Sequence, residues 1–110
     1  MIHNEYRVDT ANLPLRHAVN VYSPESGIEL DFYTTEPAFQ FYTGGWLPDE
    51  GLEAKKDQKK TKIGTSSGFC LEASRNPDSP SKPDWRSAVL LQKDATYTAK
   101  TVYAFHARLD

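Results

Sequence analysis

A carboxylate among small residues is the first feature of this sequence that could carry out chemistry. In the segment Ser67-Gly-Phe-Cys-Leu-Glu72, strand periodicity places Phe69 and Leu71 on one face and Glu72 on the other, beside small residues. Small neighbours leave room for a ligand, and a partly desolvated carboxylate can act as a general base near neutral pH. A solvent-facing glutamate on a half-exposed strand fits the same pattern, and the pattern alone favours that simpler interpretation.

A glutamine set apart from its aromatic neighbours is the second such feature. In Ala38-Phe-Gln-Phe-Tyr42, Phe39 and Phe41 share one face of a predicted strand. Gln40 therefore points away from both phenylalanines. We expect Phe41 to lie in the core with Phe39, and the Gln40 amide to face the opposite side.

The histidines and the common cofactor motifs offer no further chemistry. His3, His17 and His106 lie far apart in the sequence, so no pair has the spacing of metal ligands, and we interpret each as an ordinary polar residue. The sequence also lacks phosphate-binding and dinucleotide-binding glycine motifs. We therefore expect neither a metal nor a cofactor.

Strands are the elements that must position Glu72 and Gln40. Apolar residues recur at every second position, and no stretch of eleven or more residues shows a helical stripe. One local unit is a hairpin from Ala18 to Thr34, with its turn at Ser23-Pro-Glu-Ser-Gly27. Its second strand places Ile28, Leu30 and Phe32 on one face.

The remaining segments are a long closing strand and two irregular connections. Alternation from Thr96 to Ala107 predicts the closing strand. Residues 48–67 form a charged loop, interpreted as a solvated insertion in preference to a basic patch for phosphate. Residues 76–83 form a second surface connection, because three prolines remove backbone donors. The lysines of the charged loop are Lys55, Lys56, Lys59, Lys60 and Lys62.

Composition bounds the class of protein. A chain of 110 residues fits one domain, and its 38% of hydrophobic residues predicts a thin core. Both a small domain that folds alone and a piece that packs against more chain fit such a core. The net charge of −2 argues against a nucleic-acid partner. The apolar runs are too short to span a membrane, and the single Cys70 fits a reducing compartment. We expect a soluble cytoplasmic protein.

Four segments, in this order and spacing, resemble the C-terminal portion of the aldose 1-epimerases, or galactose mutarotases. The resemblance runs from about Leu15 onward. It implies an all-β, galactose-mutarotase-like β-supersandwich of antiparallel strands, of which residues 1–110 form a single partial domain equivalent to the C-terminal third. The charged loop at 48–67 is its variable part. The segments are Thr34-Thr-Glu-Pro-Ala-Phe-Gln-Phe-Tyr-Thr-Gly-Gly45, Ser67-Gly-Phe-Cys-Leu-Glu72, Pro77-Asp-Ser-Pro80 and Tyr97-Thr-Ala-Lys-Thr-Val-Tyr-Ala-Phe105.

The same resemblance implies an isomerase that interconverts the α- and β-anomers of hexoses such as galactose and glucose. Glu72 matches the base of that family, and Gln40 matches a residue that hydrogen-bonds the sugar. A protonated histidine acts as the acid in the family, and no metal or cofactor takes part. Tyr42 or Trp46 could offer a ring on which the sugar stacks.

Departures from the family pattern qualify this expectation. The segment that carries the acid histidine has no counterpart in this sequence, so we expect the chain alone to be weak or inactive. His3 and Asn4 match part of a family motif, but Ile2 stands where a sugar-binding aspartate is expected. One alternative is a noncatalytic carbohydrate-binding β-domain, and another is a fragment whose exposed strand edges pair with a second copy.

Overall fold

The computed structural model describes residues 13–59 and 62–108, and its longer elements are all strands. Within this part of the chain there is no α-helix, only two short 3-10 helices. The predicted all-β class with antiparallel pairing is confirmed, as expected of a mutarotase-like fold. The strands are β1 (Arg16–Tyr22), β2 (Ile28–Thr34), β3 (Ala38–Tyr42), β4 (Leu52–Glu53), β5 (Lys62–Ile63), β6 (Cys70–Ser74) and β7 (Thr101–Ala107), and the 3-10 helices are Ser79–Ser81 and Arg86–Val89.

A three-stranded sheet in the order β1-β2-β7 is the largest element of the fold. β1 and β2 form the predicted antiparallel hairpin, and a bulge between His17 and Val19 shifts their register by one residue. The turn closes through the Gly27 N–H, which donates to the Ser23 carbonyl at 2.8 Å. Gly27 adopts a φ of 71°, a left-handed conformation that only glycine reaches without strain.

One face of this sheet forms the hydrophobic core. Leu30 and Phe32 of β2 are buried, Phe32 completely. The Phe32 ring contacts the rings of Phe39 and Tyr103, with centroids 5.7 and 5.1 Å apart. Asp31 alternates with these residues and lies on the opposite, polar face. The predicted apolar face of the second hairpin strand is therefore the core face.

The closing strand is shorter than the predicted 96–107, since β7 begins at Thr101. Thr34, the last residue of β2, pairs with Thr101. The Thr35 N–H then donates to the Lys100 carbonyl, and the Lys100 N–H donates to the Thr35 hydroxyl, both at 3.0 Å. Beyond this contact β2 supplies no backbone partner, so the residues before Lys100 are not strand.

The remaining strands form two smaller sheets, β3 with β6 and β4 with β5. The antiparallel β4–β5 pair lies inside the 48–67 segment, so the prediction of a continuous loop there was incomplete. Two residues per strand are too few to produce an apolar alternation in the sequence. The described chain divides into two compact units, one up to Phe39 and from Ala73 onward, the other Gln40–Glu72.

The prediction that Phe41 lies in the core was wrong. Its side chain is 61% exposed, because a two-stranded sheet supplies no second layer to cover it. The hydrophobic core is thin, as the composition indicated. Its buried hydrophobic members among the described residues are Leu30, Phe32, Leu71 and Ala88.

Ile2, His3 and Asn4, which concern the partial family motif, lie outside the described residues. Within the described ranges, no helix has the length and apolar character that crossing a membrane requires.

Candidate functional site

The structure places Gln40 and Glu72 on the two strands of one sheet. Gln40 is the central residue of β3, and Glu72 is the central residue of β6. Both lie in the same compact unit, and both side chains are exposed. Two residues separated by more than thirty positions in the sequence therefore lie on neighbouring strands.

A ring contact shows which face each side chain occupies. Phe41 of β3 and Phe69, directly before β6, have ring centroids 5.7 Å apart, so they lie on the same side of the sheet. Side chains alternate along a strand, which places Gln40 on the side opposite Phe41. The same alternation places Glu72 opposite Phe69. Gln40 and Glu72 consequently share one face.

Hydrogen bonds fix the turn that follows β3. The Thr65 hydroxyl donates to the Gly44 carbonyl at 2.9 Å, and the Ser66 N–H donates to the Thr43 carbonyl at 2.9 Å. The Trp46 N–H donates to the Tyr42 hydroxyl at 3.2 Å. These contacts hold the backbone of Trp46 while its side chain remains 92% exposed.

This arrangement suits a polyhydroxylated ligand more than a metal ion. A carboxylate accepts hydrogen bonds and an amide both donates and accepts them, so the pair can bind adjacent hydroxyls. An exposed indole nearby in sequence offers an apolar ring. Across the described ranges, no group of three histidine, cysteine or acidic side chains is arranged to hold a metal ion.

A polar cluster formed by Glu36, Arg75 and Tyr97 around the buried Glu36 carboxylate was not predicted from the sequence. The Glu36 side chain is almost completely buried, and its Oε1 accepts a hydrogen bond from the Tyr97 hydroxyl. Arg75 Nη1 lies 3.4 Å from Glu36 Oε2, and its guanidinium lies over the Tyr97 ring, 5.2 Å from the centroid. Burial, followed by the hydrogen bond to Glu36, raises the pKa of Tyr97.

A second unpredicted cluster centres on Asp31, on the polar face of the three-stranded sheet. His17 Nε2 lies 2.7 Å from Oδ1, and His106 Nε2 lies 3.2 Å from Oδ2. Asn20 donates to Oδ1 at 2.9 Å. The Asn20 hydrogen bond, then that of His17, holds the pKa of Asp31 below its usual value. Strand alternation could have indicated this cluster, since Asp31 and His106 each alternate with the apolar residues of their strands, and Leu30 pairs with Phe105 on the opposite face.

Comparison with known proteins identifies relatives of this chain. The family profile described as Aldose 1-epimerase matches residues 2–104. Bifunctional protein GAL10 of Kluyveromyces lactis is 31% identical over 99 residues, covering 90% of this chain and 13% of that protein. Aldose 1-epimerase of Escherichia coli K12 is 35% identical over 94 residues, which cover 82% of this chain and 25% of that protein. Galactose mutarotase of Bos taurus is 38% identical over 90 residues, which also cover 82% of this chain and 25% of that protein.

The chain thus spans a quarter or less of the length of these relatives. The family profile nevertheless covers nearly all of it, including β3, β6 and both candidate residues. The match confirms the resemblance inferred from the sequence segments, and this chain belongs to the aldose 1-epimerase family.

Proposed function

We propose that this chain is part of an aldose 1-epimerase that interconverts the α- and β-anomers of free hexoses such as galactose and glucose. The observation that carries the proposal is the shared face of Gln40 and Glu72 on the β3–β6 sheet. Family membership supports the reaction class. The names aldose 1-epimerase and galactose mutarotase, borne by two relatives, support a hexose as the ligand.

In this proposal Glu72 is the general base. Its carboxylate takes the proton from the C1 hydroxyl, the bond between C1 and the ring oxygen breaks, and an acid protonates the ring oxygen. Rotation about the C1–C2 bond then presents the other face of the aldehyde, and ring closure returns both protons. The reaction is redox-neutral and its atoms balance, so the proposal requires no cofactor.

Gln40 binds and orients the sugar. Its amide can donate a hydrogen bond to one hydroxyl and accept one from another. Holding the hexose against the β3–β6 face brings its C1 hydroxyl within reach of Glu72, and positioning of this kind contributes strongly to rate. Trp46 is the candidate for ring stacking, since its indole is exposed.

The acid belongs, in this proposal, to the part of the domain outside the matched portion. Residues 1–110 then form one partial domain, equivalent to the C-terminal third, and the chain alone is weak or inactive. His17 and His106 are each engaged with Asp31, which supports an acid from elsewhere. The free, exposed Cys70 supports a reducing, cytoplasmic location.

The test is mutarotation by a hybrid enzyme in which this chain replaces the aligned portion of the Escherichia coli aldose 1-epimerase. We expect Glu72→Gln to lower kcat by about 10²–10⁴, the usual contribution of a positioned acid or base. We expect Gln40→Ala to act mainly on KM. The control is Glu53→Gln, which changes an exposed glutamate of β4. Full activity of the Glu72→Gln hybrid would refute the assignment of the base.

A second candidate function is noncatalytic carbohydrate binding, which the exposed Trp46 ring and the Gln40 amide favour. It predicts that the same hybrid binds hexose, seen as chemical-shift changes at Gln40 and Trp46 on titration. It also predicts that anomer exchange, followed by polarimetry, stays at the uncatalysed rate. Accelerated exchange that depends on Glu72 would exclude this alternative.

A further inference from the structure

The cluster of Glu36, Arg75 and Tyr97 joins the segment that leads into β3 to the segment that leaves β6. Glu36 lies two residues before β3, and Arg75 is the first residue after β6. Along the chain, Glu36 is therefore close to Gln40, and Arg75 is close to Glu72. A contact between Glu36 and Arg75 restricts how far the two strands can slide past each other.

Glu36 is the fixed partner in this contact. Its N–H donates to the Thr34 hydroxyl at 3.0 Å, and its carbonyl accepts a hydrogen bond from the Arg16 guanidinium at 2.5 Å. The Tyr97 hydroxyl donates to its carboxylate. The residue is buried, so its backbone and its side chain are both held in place. Glu36 is thus an anchor at the entrance to β3.

Arg75 ties the end of β6 to this anchor. Its guanidinium lies over the Tyr97 ring. Its Nη1 lies 3.4 Å from Glu36 Oε2, a pairing of charges without an aligned hydrogen bond. The Arg75 side chain is only 13% exposed. A pair removed from water in this way resists separation, because separation would leave a buried charge without its partner.

The register of β3 against β6 decides whether Gln40 and Glu72 can act on one ligand. Side chains alternate along a strand, so a slip of one residue would turn one of the two to the opposite face. A two-stranded sheet has little stability of its own with which to prevent a slip. The register must therefore be held by contacts outside the backbone ladder.

Two contacts bracket the candidate residues along these strands. Towards the end of β3 and the start of β6, the rings of Phe41 and Phe69 meet. Before the start of β3 and after the end of β6, Glu36 meets Arg75. Both phenylalanine rings are exposed, whereas the ionic contact is buried. The Glu36–Arg75 pair is therefore the contact whose loss is the more costly of the two.

We propose that Arg75 is a positioning residue for the epimerase reaction. Through Glu36 and Tyr97 it holds β6 in the register that puts Glu72 on the same face as Gln40. The inference rests on the proposed function for the roles of Glu72 and Gln40. It extends that function, because Arg75 acts on the reaction only through the position of Glu72.

The test is a double-mutant cycle on kcat, with Arg75→Gln and Glu72→Gln, in the hybrid enzyme described under the proposed function. With Glu72 present, we expect Arg75→Gln to lower kcat by roughly tenfold to a hundredfold, as small displacements of a reacting group do. In the Glu72→Gln background we expect Arg75→Gln to cost nothing further, since the group that it positions is gone. A role in stability alone would give the same fractional change in both backgrounds.

Two control variants separate positioning from stability and from charge. Gly27→Ala strains the hairpin turn, where a Cβ would lie 3.0 Å from a backbone carbonyl oxygen. Lys82→Gln removes an exposed positive charge that lies 3.9 Å from Asp78. We expect both variants to keep the kcat of the parent hybrid.

Arg75→Lys is the second variant, should Arg75→Gln fail to fold. It keeps a positive charge for Glu36, but an ammonium group cannot reproduce the planar contact of the guanidinium with the Tyr97 ring. We expect a smaller loss of kcat than with Arg75→Gln. That loss should also disappear in the Glu72→Gln background.

Hydrogen–deuterium exchange, followed by mass spectrometry, reports on the sheet without requiring activity. In the Arg75→Gln hybrid we expect faster exchange in β3 and β6 and unchanged exchange in β1, β2 and β7. Gly27→Ala should show the reverse pattern. This measurement therefore decides whether Arg75 holds the β3–β6 pair even when the parent hybrid does not turn over sugar.

Two results would overturn the inference and leave the proposed function standing. One is a kcat that Arg75→Gln leaves unchanged, or lowers by the same factor in both backgrounds. The other is exchange in β3 and β6 that does not differ between the Arg75→Gln hybrid and its parent. A fully active Glu72→Gln hybrid would instead overturn the assignment of the base.

Discussion

At the scale of single residues, the Glu36 carboxylate is a buried charged group, and burial of such a group is unfavourable unless it has polar partners. A charge removed from water needs partners, and here they are the Tyr97 hydroxyl and the Arg75 guanidinium. These three residues lie far apart in the sequence, and no periodicity links them. For that reason the cluster could not be predicted, whereas the common face of Gln40 and Glu72 follows from strand alternation once their strands are known to pair.

Removing the Tyr97 hydroxyl tests the value of this cluster. We expect Tyr97→Phe to lower the free energy of unfolding by about 1–3 kcal/mol, because it leaves a buried carboxylate oxygen without its donor. Equilibrium urea denaturation measures the change. The control is Tyr33→Phe, which keeps the ring contact with His17. Equal, small effects of the two variants would contradict the importance assigned to the Glu36 hydrogen bond.

Asp31 predicts a pH dependence of stability. Its folded pKa lies below the ordinary value of 3.8, so its contribution to stability is fully present above the unfolded pKa and is lost as the pH falls through the folded pKa. We expect Asp31→Asn to be less stable than the unchanged chain near pH 6. The difference should shrink as the pH falls through about 4 and below. Urea midpoints across this range measure it, with Asp57→Asn as the control, and a constant difference would refute the linkage.

At the scale of elements, local patterns predicted the pieces that depend only on neighbouring residues. The β1–β2 hairpin follows from alternation and from the Ser23–Gly27 turn. The start of β7 at Thr101 does not follow from its own sequence pattern, because it is set by the end of β2 at Thr34. Exposure of Phe41 depends on which layer covers its sheet, and that information lies outside the segment itself.

Gly27 offers a test of how the hairpin turn supports the sheet. A Cβ added there would lie 3.0 Å from the Arg108 carbonyl oxygen, and the φ of 71° disfavours any other residue. We expect Gly27→Ala to destabilise the fold by about 1–2 kcal/mol. Gly45→Ala is the control, since a Cβ there meets nothing within 4 Å. Thermal melts compare the two, and similar melting temperatures would show that the turn is not under this constraint.

At the scale of the whole molecule, the proposed function also explains the thin core. In that proposal the chain carries the sheet that presents Gln40 and Glu72, and the acid of the reaction comes from elsewhere in the domain. Stability and activity should then rise together when the rest of the domain binds, because a partner that binds only the folded state stabilises it.

The most direct test of this account is polarimetry of fresh α-D-galactose with three samples. One sample holds the remainder of the Escherichia coli aldose 1-epimerase, that is, the residues outside the aligned portion produced as a separate chain. The other two hold the remainder with this chain and the remainder with the Glu72→Gln chain. We predict acceleration above the uncatalysed rate only with the unchanged chain, since only that mixture holds both the proposed base and the proposed acid. Equal acceleration with the Glu72→Gln chain would contradict the claim that this chain supplies the base.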